Sequence, residues 1–246
     1  MIPQSQDQAL ARIKAETLIE SLGWLREFHN KVVVIKFGGN AMVDEALQTA
    51  FAQDMAYLRY VGIKPVVVHG GGPQITARLA EMGIESEFRG GLRYTDQATM
   101  DVVRDVLRNQ ISAKLAEMIS DFGAETTVLS GEDQDLLKAA KIKGQGPDGE
   151  VDLGLVGEVK TVNPRAILEA LNLGKVPVIS SVAPDASGQL LNVNADLAAA
   201  AIAVALGAEK LMVLTDVPGL YANWPDRDSL LSEITRAELI DLLPSL

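Results

Sequence analysis

Four runs in this 246-residue chain are almost uninterruptedly apolar: VVVIKF at 32–37, PVVVHG at 65–70, VPVISSV at 176–182 and LMVLTD at 211–216. Runs that do not alternate between apolar and polar residues belong to strands covered on both faces. Stretches of helical period lie between them, and that alternation specifies an α/β fold with an open, mainly parallel sheet between two helical layers. Strands are expected over Val32–Phe37, Pro65–His69, Thr126–Leu129, Val176–Val182 and Lys210–Thr215. Helices are expected over Glu45–Val61, Gln74–Met82, Thr95–Asp121, Pro164–Leu171 and Ala195–Leu206. In the first of these Leu47, Phe51, Met55 and Leu58 recur at spacings of three and four, so they share one face. The turn cluster GQGPDG at Gly144–Gly149 reads as a hairpin tip.

A further helix precedes the first strand, with Leu18, Leu22, Leu25 and Phe28 on one side. Two readings stay open for it: a helix folded back on its own domain, or an arm reaching another copy. The chain closes on a helical segment containing Leu239, Leu242 and Leu243, just past which stands Pro244. That ending fits a sheet closed by a lone helix, or a longer fold of which this is part.

The composition removes several kinds of chemistry. Without cysteine there is no disulfide, thiolate metal site or cysteine nucleophile, and two histidines, His29 and His69, cannot build a His-rich metal site. A net charge of −11 argues against a nucleic-acid or polybasic membrane surface. Any anionic substrate must therefore find its positive charge locally, in a few Lys or Arg side chains and helix N-termini. No apolar run approaches a membrane span and no signal core opens the chain, so a cytoplasmic protein is expected.

Two of the apolar strands end in glycine loops, Lys36-Phe37-Gly38-Gly39-Asn40 and His69-Gly70-Gly71-Gly72-Pro73. Glycines let a ligand approach main-chain N–H groups, and in open α/β sheets ligands bind beyond the carboxyl ends of the strands. A single such loop also serves a tight strand–helix turn. Two together, one with a lysine at the strand's end, favour a phosphate partner, because an ammonium inside an apolar strand needs a compensating anion. Neither loop is GxxxxGK[ST] or GxGxxG, which disfavours P-loop and dinucleotide enzymes.

Arg93, in Gly90-Gly91-Leu92-Arg93-Tyr94-Thr95, is either a surface residue or a carboxylate clamp. Asn192-Val193-Asn194-Ala195-Asp196 opens a helix; its polar residues are good N-caps, yet there are more of them than a cap needs. Leu214-Thr215-Asp216-Val217-Pro218-Gly219-Leu220-Tyr221 carries another apolar strand into a polar loop.

KFGGN, VHGGGPQI, GLRYTD, SGED, GLVGEV, NVNAD and LTDVPGLY follow one another in the order and rough spacing of the amino acid kinase family. The chain resembles that family from Lys31 to Leu246, and within it the branch acting on N-acetyl-L-glutamate. The sister branch, acting on carrier-bound aminoadipate or glutamate, shares much of this pattern.

The resemblance implies ATP-dependent phosphorylation of a γ-carboxylate in arginine biosynthesis. Lys36 would contact the transferring phosphoryl group and Asp196 would orient the catalytic lysines. Gly38 and Gly39 would present N–H groups to phosphate, and Gly71 and Gly72 to the acceptor. Arg93 and Asn192 would hold the acceptor. Thr215, Asp216, Gly219 and Tyr221 would help bind the nucleotide. Mg²⁺ would arrive on the nucleotide phosphates, with no protein metal site.

It also implies an arm over residues 1–30, an acceptor lobe over 31–182 and a nucleotide lobe over 183–246. The arm is similar to the helical extension of arginine-inhibited hexameric members. The resemblance further implies continuation past Leu246 into a Gly-Met-x-x-Lys stretch with a second catalytic lysine. A chain lacking that stretch is expected to be a poor kinase, or a ligand-binding relic.

Overall fold

The structure, a computed structural model, describes residues 6–146 and 149–245. Met1–Ser5 and the Pro147–Asp148 tip of the expected hairpin lie outside the described residues. The chain divides into two compact units, Met1–Leu214 and Thr215–Leu246.

In chain order the first unit runs α1 (Gln6–Phe28), β1 (Val32–Phe37), α2 (Glu45–Tyr60), β2 (Lys64–His69), α3 (Gly72–Glu81), β3 (Phe88–Arg89) and β4 (Leu92–Arg93). It continues with α4 (Gln97–Asp105), α5 (Ala113–Asp121), β5 (Thr126–Ser130), β6 (Leu137–Gly146), β7 (Gly149–Val162) and α6 (Arg165–Asn172). It ends with β8 (Val176–Ser180), β9 (Val182–Pro184), β10 (Leu190–Val193), α7 (Ala195–Leu206) and β11 (Lys210–Val213). The second unit holds β12 (Leu220–Tyr221), β13 (Leu230–Leu231) and α8 (Arg236–Leu242).

The expected α/β architecture is present. Five parallel strands form the central sheet in the order β11-β1-β2-β8-β5. Alternation along β1 divides the core: Val33, Ile35 and Phe37 join one cluster with Phe51 and Met55 of α2, while Val34 joins the other with Ala198 and Ile202 of α7. The Phe37 ring stacks on Phe51 with centroids 4.0 Å apart. A second, mixed sheet, β6-β7-β10-β9, contains the long hairpin.

Two elements depart from the sequence-based expectation. The helix expected over Thr95–Asp121 starts at Gln97, because Asp96 caps it by accepting the Thr99 N–H at 2.7 Å. Its middle, Val106–Ser112, widens into a π turn between α4 and α5. The strand expected over Val176–Val182 is two strands in different sheets, parted at Ser181, whose hydroxyl donates to the Val193 carbonyl at 2.9 Å.

Helix α1 leaves Ile13, Leu18, Leu22 and Trp24 exposed; only its last turn meets the core, through Phe28. Among the described residues no helix is long and apolar enough to cross a membrane.

Candidate functional site

β1, β2 and β8 run parallel and discharge their loops at the same edge of the sheet. Phe37 pairs in register with His69, which in turn pairs with Ser180. The Gly70 N–H donates to the Phe37 carbonyl at 3.3 Å, so the two glycine loops lie side by side.

Alternation along β1 turns Lys36 toward α7, where its ammonium lies 3.2 Å from Asp196 Oδ1. The lysine side chain is 10% exposed and the aspartate 50%, so the anion compensating the buried ammonium faces water. Asp196 sits in the first turn of α7, where a carboxylate is favoured by the helix dipole. Asn194 is the cap of that helix, its amide oxygen accepting from Asp196 N at 2.8 Å and Leu197 N at 3.1 Å. A Cβ on Gly38 would meet the Lys36 ammonium, so any side chain there would push that ammonium from its place beside Asp196. Gly39 has φ +70°, which favours glycine.

Beside this pair opens a cleft of about 460 Å³, within the range of small-molecule sites. Gly70–Gly72, Arg93, Asn192 and Ala195 contribute to its walls. Gly71 is buried, and a Cβ on it would strike Leu107 and Ile111. Gly72 opens α3, a helix whose N-terminus has no side-chain cap; first-turn N–H groups and the positive end of the dipole are left to an anion.

Arg93, at the end of β4, is buried rather than a surface residue. Its guanidinium donates to the Gly72 carbonyl at 3.1 Å, to the Thr76 hydroxyl at 2.8 Å and to the Ser86 hydroxyl, and lies 4.7 Å from the Phe88 ring centroid. Burial lowers its pKa, but an arginine stays charged. All these partners are neutral, and among the described residues no protein carboxylate forms an ion pair with it. The site thus holds a fixed cation without a protein counter-charge, which suits a carboxylate ligand.

Asn192 donates from its amide to the Thr95 hydroxyl at 3.2 Å, and Thr95 donates on to the Arg93 carbonyl at 2.9 Å. His69 is fully buried; burial pushes its pKa down to about 4, so the ring is neutral at pH 7. The ring's nitrogens face the Gly70 carbonyl at 2.9 Å and the Ser112 hydroxyl at 2.6 Å.

Lys36, Gly38, Gly39, Gly71, Gly72, Arg93, Asn192 and Asp196 thus gather at one edge of the first unit. Thr215, Asp216, Gly219 and Tyr221 belong to the second. There Thr215, Asp216 and Gly219 are exposed, and Tyr221 meets Trp224 edge to face at 5.3 Å. Sequence reasoning missed Thr76, Ser86 and Phe88, which hold Arg93. Thr76 had a usable signal, one helical turn beyond Gly72; Ser86 and Phe88 had none. Among the described residues no three His, Cys, Asp or Glu converge as metal ligands.

Residues 31–244 match the family model "Amino acid kinase family". An acetylglutamate kinase from Leifsonia xyli subsp. xyli is 57% identical over 246 residues, covering 99% of this chain and 81% of that protein. One from Rhodococcus jostii is 56% identical over 233 residues, covering 95% and 76%. Among solved structures, N-acetylglutamate synthase from Neisseria gonorrhoeae, complexed with coenzyme A and N-acetyl-glutamate, superposes with a TM-score of 0.77 at 21% identity. That superposition covers 94% of this chain and 52% of the other, and it speaks for the fold alone.

Proposed function

The chain belongs to the amino acid kinase family and is a kinase, and we propose that it transfers the γ-phosphoryl group of ATP to the γ-carboxylate of N-acetyl-L-glutamate, as a step of arginine biosynthesis. The observation that carries this reading is the pairing of two separate cationic positions across one cleft edge. Arg93 is fixed by neutral partners and suited to a carboxylate; Lys36, held by Asp196, stands beside the glycine loops suited to phosphate. Gly70 lies against Ala195, next to Asp196, so the ion pair borders the acceptor cleft.

In this reading Arg93 binds the α-carboxylate and Asn192 orients the acceptor, while Gly71 and Gly72 offer it N–H groups. A γ-carboxylate ordinarily titrates near about 4.3 and is ionised at neutral pH, so its oxygen attacks phosphorus without a general base. A new P–O bond forms as the bond from the γ-phosphorus to the β–γ bridging oxygen breaks, and ADP departs with that electron pair. His69 exchanges no proton with the substrate, being neutral and engaged at both nitrogens. Lys36 and the Gly38 and Gly39 N–H groups neutralise charge on the phosphoryl oxygens, which with alignment is most of what phosphoryl transfer asks of a protein. Mg²⁺ would supply further neutralisation, held by phosphate oxygens rather than by a protein cage.

The finer assignments belong to the same proposal. Residues 31–182 form the acceptor lobe and 183–246 the nucleotide lobe, which also lends Asn192 to the acceptor cleft, with Thr215, Asp216, Gly219 and Tyr221 as nucleotide contacts. Residues 1–30 form an oligomerisation arm of a homohexamer, supported by the exposed apolar residues of α1. The enzyme works in the cytoplasm under inhibition by arginine. The names of the relatives favour acetylglutamate over a carrier-bound acceptor.

An acceptor panel tests the reading. With ATP and hydroxylamine as trap, N-acetyl-L-glutamate should yield hydroxamate well ahead of L-glutamate, N-acetyl-L-aspartate and carrier-bound aminoadipate. Preference for any of the others would overturn the acceptor assignment.

A further inference from the structure

We infer that Ser112 and His69 form a positioning pair that fixes the Gly70–Gly72 loop, so that its main-chain N–H groups meet an anionic ligand in one geometry. The inference deepens the kinase reading and rests on it only through the substrate used in the kinetic test.

His69 has no freedom of role. The Gly70 carbonyl can only accept, so Nδ1 carries the proton and donates to it at 2.9 Å. Nε2 is therefore an acceptor, and the Ser112 hydroxyl donates to it at 2.6 Å. Both residues are fully buried, and the backbone of His69 is held in register between Phe37 and Ser180. The pair thus ties the carbonyl that opens the glycine loop to a helical segment distant in sequence.

Ser112 is the last residue of the π turn, and the turn's other residues act on the same loop. Leu107 and Ile111 pack where a Gly71 Cβ would stand. In a regular α-helix the fifth residue after Leu107 points away from it; the i→i+5 spacing of a π turn brings Ser112 back toward the same side. Arg108, within the turn, pairs with Glu132 at 2.9 Å and Asp133 at 2.7 Å, and Asp133 accepts the Ser130 N–H at 2.9 Å. The π turn is therefore anchored at the end of β5 on one side and braces the β2 loop on the other.

The test combines kinetics with NMR. Ser112→Ala should lower kcat/KM for N-acetyl-L-glutamate about tenfold, less than the ~10²-fold that a 1 Å misplacement can cost, with KM for ATP little changed. His69→Asn, whose amide keeps the donor at the position of Nδ1, should retain more activity than His69→Gln, and adding Ser112→Ala to it should cost little more. In a His29→Gln background the single remaining imidazole should show the neutral Nδ1–H tautomer. The Gly70–Gly72 amide resonances should move on Ser112→Ala. An unmoved loop, an Nε2–H tautomer, or wild-type kcat/KM in Ser112→Ala overturns the inference. The resonances report on the pair even if the wild-type protein fails to phosphorylate this acceptor, which would instead sink the kinase assignment.

Discussion

The ammonium of Lys36 and Oδ1 of Asp196 lie 3.2 Å apart across the contact between β1 and α7, one partner nearly buried and the other half in water. A lysine so placed is oriented by its partner, and the exposed side of the carboxylate leaves room for a phosphoryl group to share the cation. Replacing Lys36 by Met should lower kcat by about 10²–10³, the usual cost of one lost transition-state donor. Asp196→Asn should lower kcat by roughly 10², with a smaller change in KM, because the cation is kept but loses its aim. Steady-state kinetics on both variants checks this.

Arg93 predicts a different signature. Arg93→Lys keeps the charge but loses the planar fork and its bonds to Thr76, Ser86 and the Gly72 carbonyl. Affinity for N-acetyl-L-glutamate should fall by about ten- to a hundredfold, in line with a lost charge-assisted hydrogen bond, while ATP affinity holds. Calorimetric titration of each ligand separates the two.

The glycines are predicted to fail by collision. Gly71 lies outside the left-handed region, at φ 174°, and an alanine Cβ there would strike Leu107 and Ile111. Gly71→Ala should weaken acceptor binding, and adding Ile111→Val, which removes the nearest methyl, should restore part of it. Binding measured on the single and double variants decides the point.

His69 makes stability depend on pH. The unfolded chain protonates this imidazole near 6.5, the folded one only near 4. Between those values the unfolded state binds more protons, so stability is full above pH 6.5 and declines as pH falls toward 4. The displacement corresponds to about 3 kcal/mol across that window. Denaturant unfolding at a series of pH values should show the decline, and His69→Asn should flatten it.

Much of the site was legible because the strand runs are local. VVVIKF and PVVVHG declare buried parallel strands, and the glycines after them place the ligand edge without knowledge of the rest. The continuity of helix across Gln97–Asp121 was equally visible in its apolar spacing. Its π turn was not, because the widening is set by what Leu107, Ile111 and Ser112 must touch on a distant loop. Arg93 was readable as a carboxylate clamp, but its fixation by Ser86 and Thr76 depends on bringing α3 beside β4. The NVNAD segment held two readings, and the fold divides them: Asn194 caps α7, while Asn192 joins Thr95 at the cleft.

The claim that a substrate carboxylate attacks phosphorus directly is open to an isotope measurement. N-acetyl-L-glutamate carrying ¹⁸O at both γ-carboxylate oxygens is turned over with ATP, and the acyl phosphate is cleaved by hydroxylamine at its carbonyl carbon. The bridging oxygen then leaves with the phosphate. One ¹⁸O atom per inorganic phosphate is the predicted result; phosphate free of label, matching hydrolysis of ATP by water, would contradict the account.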